Sequence, residues 1–541
     1  MAGHISHDQV IATEEKTAMA KAVTRDPEKQ ALEYKDVDAA LEFLNTEETG
    51  SMSEVDEKKL VHKIDWRIVP LLWACYNLQY LDKTLINYAN VMGLEDDTNI
   101  TSDQFSQLAL VFYVTYLAFE LPTGYLMQRL PTAKYLGANV ILWGLMTTLV
   151  STARNWAGLV TLRVLLGCFE SAIAPALILI TTMWYKSSEQ PPRMGLWYVG
   201  TGTGSIIGGL ASFGFQHYTS EAFTSWQIMF LVFGLVTIVV GVVVMCVVPD
   251  NPMKCKFLTR DEKIWAIERL RENKTGIENK HFKPYQVKEC FNDPQTWLIS
   301  LITISSNVPN GAVSSYQATI IKSFGYTSKE TALLSLPSGV IAVISVLSAT
   351  YMAGRFGTRG PIIISYLLLG GVVGGCLLAF TADDNKGAKL AGNYLTNVIG
   401  SGLPLLYSYS GANYSGHTKK VTMNAILLMS FCKPQASIVV PLISSLYKWP
   451  QARRADPRHN AGLGNIIGPL TFRGKDAPKY IPAKIAIVVT TAFACCLTIA
   501  LMAYYAYENK RRDRVVAEVE HKENSEFLDL TDQENTEFRV G

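Results

Sequence analysis

Charged residues are scarce in this chain of 541 residues: 18% are Asp, Glu, Lys or Arg, where about 25% is usual for a soluble domain. Long stretches contain almost no charge, for example 230–248 and 485–505, and such apolar runs are typical of membrane-spanning helices. The shortage of charge therefore excludes a soluble enzyme with one large core. The short, strictly alternating segments of a bacterial-type membrane barrel are also missing, which excludes that class.

Motifs for several other functions are missing too. The nine cysteines include no Cys-x-x-Cys pair and most lie in apolar segments, which indicates small buried residues rather than a metal or redox site. No phosphate-binding loop of the Walker type is present, which argues against an ATP-driven pump. The net charge of +2 gives no field that would attract nucleic acid. The sequence implies no cofactor, no metal site and no catalytic residue.

Five regions follow from the distribution of polar and apolar residues. Residues 1–66 predict a disordered N-terminal tail with a short helix near its end, and 507–541 predict a polar, disordered C-terminal tail. Two sets of helical spans, at 67–249 and 295–506, are separated by a polar loop at 250–294. We therefore predict an all-α integral membrane protein with twelve transmembrane helices in two six-helix bundles.

The twelve spans can be placed by hydropathy. Their predicted bounds are 67–91, 106–128, 135–154, 158–180, 195–216, 228–249, 297–320, 333–353, 361–381, 390–411, 421–432 with a continuation, and 482–506. Basic residues concentrate in alternate connections, whereas the first opposite loop, 93–103, contains no Lys or Arg. Under the positive-inside rule, both termini then face the cytosol.

Two short connections share a pattern of Gly and Arg at corresponding places in the two halves. Their residues are Gly124 and Arg129 after span two, and Gly354, Arg355 and Arg359 after span eight. They resemble the two copies of the loop motif of the major facilitator superfamily, Gly-x-x-x-Asp-Arg-x-Gly-Arg/Lys. The resemblance implies gating loops in which Arg binds helix carbonyls and pairs with acids of the opposite bundle. This chain departs from the motif at Gln128, where the family has Asp.

Longer strings narrow the resemblance to the fungal allantoate permease family, part of the anion:cation symporter group. They include Leu-Gln-Tyr-Leu-Asp-Lys at 78–83, Phe-Glu-Leu-Pro at 119–122 and Gly-His-Thr-Lys-Lys at 416–420. The resemblance implies proton-coupled uptake of a small organic anion or vitamin-like solute across the plasma membrane. We expect a monomer in the lipid bilayer whose partners are a small-molecule substrate and protons. The alternatives are proton-antiport efflux of a secondary metabolite or drug, and a non-transporting nutrient sensor or disabled product.

Ionisable residues inside spans are the best site candidates, because a charge at the bilayer centre costs at least ~2.5–3.5 kcal/mol unless it faces a cavity or a partner. In span one, Tyr76, Tyr80, Lys83 and Asn87 fall on one helix face, with Asp82 adjacent. We expect Lys83 to bind the substrate anion and Asp82 to take part in proton coupling. The alternatives are an ion pair between bundles, or a Lys83 side chain that extends to the membrane surface.

Span four contains Arg163 and Glu170. Arg163 matches the buried span-four Arg of the superfamily, and a guanidinium can bind a carboxylate with two hydrogen bonds. Glu170 is the predicted proton carrier. The alternative is a structural bridge between these two residues, although two helical turns are slightly too long for direct contact. For Glu120 in span two, we expect a helix-packing hydrogen bond or a pair with a loop Arg.

Span seven contains Pro309 and Gly311, which we expect to break the helix and expose backbone dipoles at a transport site. Asn310 and Gln317 share one helix face and are the predicted substrate contacts of the second bundle. Weaker candidates are Tyr198, Asn393, Tyr407 and Asn413.

The eleventh span is interrupted. Its apolar pieces, 421–432 and 463–472, are each too short to cross a bilayer, which takes about 20 residues. Deleting 433–462 fuses them into one apolar segment of 22 residues, and the codons at both junctions permit splice sites. We therefore predict that 433–462 is a retained intron; the alternative is a genuine insertion. Sequencing of cDNA separates the two, because transcripts that all retain this segment contradict the prediction.

One glycosylation site is predicted. Asn99 begins the sequon Asn-Ile-Thr in the loop at 93–103, which the charge distribution places on the lumenal side. Two further sequons, at Asn273 and Asn413, lie in parts predicted to be cytosolic. We therefore expect glycosylation at Asn99.

Overall fold

The protein is described by a computed structural model that covers residues 54–215, 224–253, 255–273, 282–326, 328–382, 385–432, 481–516, 531–535 and 538–539. Within these ranges every regular element is a helix. The predicted insertion at 433–462 lies outside the described residues, as do residues 1–53 of the N-terminal tail.

Nine helices make up the first half of the chain. They are α1 (Glu54–Val91), α2 (Leu94–Thr98), α3 (Ser102–Arg129), α4 (Thr132–Val150), α5 (Trp156–Glu170), α6 (Ile173–Trp184), α7 (Gln190–Tyr198), α8 (Gly200–Phe215) and α9 (Ser225–Val247). The central loop contains α10 (Arg260–Glu268), a 3-10 turn (Arg269–Asn273) and α11 (Pro284–Asn292).

The second half contains eight further helices in the described residues. They are α12 (Pro294–Ser323), α13 (Ser328–Phe356), α14 (Gly360–Leu367), α15 (Gly374–Phe380), α16 (Lys386–Thr396), α17 (Gly402–Asn413), α18 (His417–Cys432) and α19 (Ile481–Val516). A wide π turn (Leu368–Val373) joins α14 to α15, and a 3-10 turn (Asn397–Ser401) joins α16 to α17.

Each predicted span has a helical counterpart, the eleventh as far as Cys432. The prediction of an all-α membrane protein with two six-helix bundles is confirmed. In the described part of the chain, six helical segments are long and apolar enough to cross a bilayer: spans three, four, six, eight, nine and twelve. Exposed side chains such as Leu145, Val239 and Ile499 form an apolar outer surface, as contact with lipid requires.

The two bundles meet along α8 and α13 and along α3 and α18. A Cβ atom added at Gly202 of α8 would lie 2.7 Å from the carbonyl oxygen of Gly339 in α13. One added at Gly195 would overlap the side chain of Thr350. Small residues at these positions therefore allow the bundles to approach closely.

The expected break in span seven is wrong. α12 runs without interruption from Pro294 to Ser323 with Pro309 inside it, because one proline removes a single backbone hydrogen bond without necessarily ending a long helix. In span four the regular hydrogen-bonding pattern is interrupted instead, between α5 and α6, immediately after Glu170, although Ser171 and Ala172 keep right-handed helical dihedrals. Pro175 explains the position, since its ring displaces the carbonyl four residues earlier, at Ser171.

The tails also differ from expectation. The short helix predicted near the end of the N-terminal tail is continuous with span one in α1. Disorder of the C-terminal tail is wrong for its described parts: α19 continues to Val516, and 531–535 packs back onto the protein. Asp532 Oδ1 lies 2.8 Å from the fully buried Lys419 Nζ. This contact joins distant parts of the chain, so local composition does not indicate it.

Candidate functional site

An ion pair lies inside the first bundle, between span one and span four. Lys83 Nζ is 3.1 Å from Glu170 Oε1, and the Glu170 side chain is completely buried. Glu170 is the last residue of α5, next to the break in span four. No hydrogen bond to its carboxylate from a hydroxyl or the backbone is found in the described residues. The pair joins the predicted anion-binding residue to the predicted proton carrier.

Two further charged residues complete what we call the charged cluster: Asp82, Lys83, Arg163 and Glu170. Arg163 is 4% exposed and Asp82 is 2% exposed. Both interact electrostatically with Glu170, and Arg163 also interacts with Asp82. Thr147 of span three donates a 3.2 Å hydrogen bond to Asp82 Oδ1. Two basic and two acidic residues thus lie close together in the first bundle; three of them are almost fully buried, and the Lys83 side chain is 24% exposed.

Glu120 of span two lies beside this cluster. It is fully buried, and neither carboxylate oxygen accepts a hydrogen bond within the described ranges. The expected packing bond or loop-Arg partner is therefore absent from that part of the chain. Glu120 interacts electrostatically with Lys83, whose ammonium also lies 5.3 Å from the ring centre of Tyr116, one turn earlier on span two.

An aromatic cluster connects the two bundles. Tyr76, on the same helix face as Lys83, lies 4.9 Å from Trp197 and 5.1 Å from Tyr198 between ring centres. Tyr407 of span ten stacks on Trp197 at 6.1 Å. Tyr198 and Tyr407 are among the weaker candidates that the sequence predicts, whereas Trp197 is not predicted, because a lone aromatic inside a span usually indicates packing.

The second bundle contributes less to the described site. Asn310 and Gln317 belong to α12, but their side chains are not among those that the structure describes. The same holds for Asn87 of α1 in the first bundle. Asn393 of span ten is completely buried, and both of its amide atoms lack a hydrogen-bond partner among the described residues. Asn393 is therefore the best-described polar candidate on this side. No cluster of three or more His, Cys, Asp or Glu that could hold a metal occurs in the described residues.

We call the end of the bundles at which α1 begins, at Glu54, and α19 ends, at Val516, the tail face. Here Arg359 is buried and bridges the bundles, since its Nη2 donates to the Ser187 carbonyl at 2.7 Å while its Nε donates to Ser408 Oγ at 2.9 Å. Gly354 approaches Pro192 so closely that an added Cβ would lie 2.8 Å from its ring.

The other loop motif forms a matching contact at the tail face. Gln128, at the position where the family has Asp, donates a 2.9 Å hydrogen bond to Thr418 Oγ1 of the second bundle. Arg129 is exposed and lies over the ring of Tyr125 in its own helix, and Arg355 is also exposed. Gln128 and Arg359, rather than Arg129 and Arg355, therefore hold the two bundles together here.

A network of ion pairs stabilises the tail face of the first bundle. Glu57 of α1 pairs with Lys186 at 2.9 Å and with Arg269 at 3.2 Å, and Arg269 also pairs with Glu189 at 2.6 Å. The hydrogen bond from Lys186 lowers the pKa of Glu57, with a further contribution from Arg269. The central loop is thus attached to span one.

Comparison with known proteins decides the family. The model of the Major Facilitator Superfamily matches residues 72–436. The chain belongs to the major facilitator superfamily. Allantoate permease of Saccharomyces cerevisiae is 34% identical, with 93% of this chain and 90% of that protein covered. The predicted resemblance to the allantoate permease family is therefore confirmed, and the superfamily protein described here is a transporter rather than an enzyme.

Two other fungal relatives have a similar sequence identity to this major facilitator protein. An uncharacterised transporter of Schizosaccharomyces pombe is 36% identical over 94% of both chains. A thiamine pathway transporter of S. cerevisiae is 36% identical, covering 93% of this chain and 94% of that protein. Among solved structures, the fucose:proton symporter of Escherichia coli has a TM-score of 0.55 at 15% identity, covering 80% of this chain and 99% of that one. This last likeness concerns the fold alone.

Proposed function

We propose that this transporter couples proton entry to the uptake of a small organic anion. The observation that carries the proposal is the Lys83–Glu170 ion pair, fully desolvated on the Glu170 side. A buried ion pair is at best a weak source of stability, because the desolvation of both charges offsets their attraction. A pair placed among further buried charges is better explained by a function that breaks and restores it.

The pair links proton binding to anion binding through one cation. When Glu170 binds a proton, it loses its charge and releases Lys83, which then binds the substrate anion. Arg163 supplies a planar guanidinium for a second contact, as a carboxylate group requires. Each ligand thereby promotes the binding of the other, and by linkage the effect is reciprocal. Asp82, held by Thr147, keeps the net charge of the cluster near zero after the anion leaves.

The second bundle completes the proposed site. Asn310 and Gln317 are the proposed polar contacts from span seven, and the buried amide of Asn393 is a further one from span ten. Binding near the middle of the membrane, followed by rocking of the bundles, alternates access. The tail-face contacts of Gln128 and Arg359 would open in the inward-facing state.

The relatives and the charge distribution support the remaining assignments. One relative is an allantoate permease, which supports an organic anion as the substrate class. The basic residues of alternate loops support a tail face in the cytosol, and the family resemblance supports the plasma membrane. A monomer is the proposed functional unit, because all residues of the proposed site come from one chain.

The direct test is uptake by the purified protein in proteoliposomes, with a screen of radiolabelled allantoate, nicotinate, pantothenate, biotin and short dipeptides. An inward proton gradient should drive accumulation of at least one anion, and a proton-conducting uncoupler should abolish it. Proton-driven extrusion instead of accumulation would assign the protein to efflux. Saturable binding without flux would assign it to a sensor.

A further inference from the structure

Glu120 is a buried carboxyl group that the proposed coupling mechanism does not use. Its side chain is 0% exposed, and no hydrogen bond to either oxygen is found among the described residues. A charged carboxylate in such surroundings is strongly unfavourable unless a hydrogen-bonding or charged partner offsets the loss of hydration. Lys83, the one described charged group that acts on it electrostatically, is already paired with Glu170. The geometry therefore favours a Glu120 that holds a proton in this conformation.

Along α3, Glu120 lies between the residue that contacts the charged cluster and the residue that makes the tail-face contact. Tyr116, Glu120, Gly124 and Gln128 recur every four residues of α3 and so share one helix face. At one end of this face the Tyr116 ring contacts Lys83, with 5.3 Å between ammonium and ring centre. At the other end Gln128 donates its hydrogen bond to Thr418 of the second bundle.

The two bundles contact each other close to Glu120 along the helix. One turn further along, a Cβ added at Gly124 would lie 3.2 Å from Val421 of α18, so the two bundles touch there through small and apolar groups. On the side of span four, Thr123 Oγ1 lies 3.3 Å from Ser171 Oγ, adjacent to Glu170. Separation of α3 from α18 would therefore admit water to Glu120 from the tail face.

We propose that Glu120 is a second proton-binding residue, which passes the transported proton from Glu170 to the tail face. This inference rests on the proposed proton coupling. When α3 and α18 separate, the Glu120 carboxylic acid is hydrated and releases its proton to the water on the tail side. As the anion leaves Lys83, the proton on Glu170 moves to the Glu120 carboxylate, and Lys83 pairs again with the Glu170 carboxylate. One proton enters and one leaves in each cycle.

The proposal is tested with Glu120→Gln in proteoliposomes, using the radiolabelled anion that the uptake screen selects. Glutamine resembles the neutral acid in shape but cannot exchange a proton. Proton-driven accumulation should fall at least 10-fold, whereas exchange of labelled for unlabelled anion should stay within twofold of the wild type. Full accumulation in Glu120→Gln would overturn the proposal, and so would an equal loss of exchange, which would place Glu120 in the anion site.

A second measurement needs no substrate. Infrared spectroscopy of the purified protein at neutral pH should show the carbonyl absorption of buried carboxylic acids, and the difference between the wild type and Glu120→Gln should contain one such band. A difference spectrum without this band would contradict the proposal. If Glu120→Gln does not reach the membrane, Glu120→Asp replaces it: its transport rate should depend differently on tail-side pH, and an unchanged profile would contradict the proposal.

Parallel assays separate this inference from the proposed function. If the wild-type protein accumulates no anion under a proton gradient, the proposed function itself fails. If the wild type is proton-driven and Glu170→Gln is uncoupled, but Glu120→Gln remains coupled, only the role of Glu120 fails.

Discussion

Lys83 of span one and Glu170 of span four form an ion pair of 3.1 Å inside the first bundle, with the carboxylate fully buried. Each residue is the one that its own helix was expected to contribute, Lys83 to anion binding and Glu170 to proton binding. In the proposed mechanism, their contact means that neither ligand can bind without affecting the group that binds the other. Coupling then needs no signal between distant sites, because both ligands act on the same two side chains.

Arg163→Lys should lower anion uptake at least roughly 10-fold, because an ammonium group cannot reproduce the planar, two-bond fork of a guanidinium at a buried site. Initial uptake rates, normalised to the amount of protein in the membrane, measure the effect. Arg154→Lys is the matched control, since Arg154 is exposed in the loop before span four. Equal rates for the two variants would remove Arg163 from the site.

Gln128→Ala should loosen the tail face, because it removes the hydrogen bond to Thr418, a contact of about 1 kcal/mol or a few-fold in population. Hydrogen–deuterium exchange should become faster in 124–130 and in 416–422. Arg129→Ala, one residue further on, is the control and should leave both segments unchanged, because Arg129 lies over Tyr125 of its own helix. The reverse result would restore the gating role that the loop motif gives to Arg129.

Docking of the C-terminal segment 531–535 onto the protein should become more favourable as the pH falls. Burial raises the pKa of Asp532 from 3.8 to about 6, against the opposing effect of Lys419 and with a further rise from Asp293. An acid whose pKa is raised on docking binds its proton more tightly when docked. This contribution to docking is therefore largest below pH 4 and declines as the pH rises to about 6.

Spin labels at Arg514 and Gln533, both exposed, can measure tail docking by their distance distribution. The docked population should increase when the pH is lowered from about 7.5 to about 5.5, and Asp532→Asn should remove most of this dependence. Release of the tail on acidification would mean that the simple loss of the Lys419–Asp532 ion pair dominates.

Glycosylation tests the orientation of the protein. Asn99 is exposed in the short connection between α2 and α3, whereas Asn413 is 1% exposed. The side-chain amide of Asn273 makes two hydrogen bonds: its oxygen accepts one from Ser187 N at 2.7 Å, and its nitrogen donates one to the Tyr185 carbonyl at 3.1 Å. Deglycosylation should shift the protein on a gel, and Asn99→Gln should abolish the shift. A shift that depends on Asn273 would place the tail face outside the cytosol.

Hydropathy predicted most of the fold because membrane-spanning helices must be long and apolar, and each satisfies its own backbone hydrogen bonds. The errors come from residues whose effect depends on their surroundings. Pro309 was expected to break span seven and does not, whereas Pro175 interrupts span four beside Glu170. A proline within a span marks a possible break, but packing against neighbouring helices decides whether one forms.

The candidate site was only partly predictable. The cost of burying charge identified Lys83, Asp82, Arg163 and Glu170 one at a time, but their mutual contacts depend on how spans one and four pack. Glu120 is also a carboxyl group inside a span. Its predicted packing hydrogen bond is not found among the described residues. Gln128 looked like the loss of a motif residue, yet it makes the contact to Thr418.

If the Lys83–Glu170 pair couples the proton to the anion, Glu170→Gln should separate anion exchange from proton-driven accumulation. The neutral side chain should leave Lys83 available at every pH, so that anion exchange continues while proton-driven accumulation is lost. The measurement is the ratio of internal to external labelled anion in proteoliposomes under an inward proton gradient, with exchange recorded on the same preparation. The ratio should stay near one with exchange intact; accumulation at the wild-type level would show that the Lys83–Glu170 pair does not couple the two ligands.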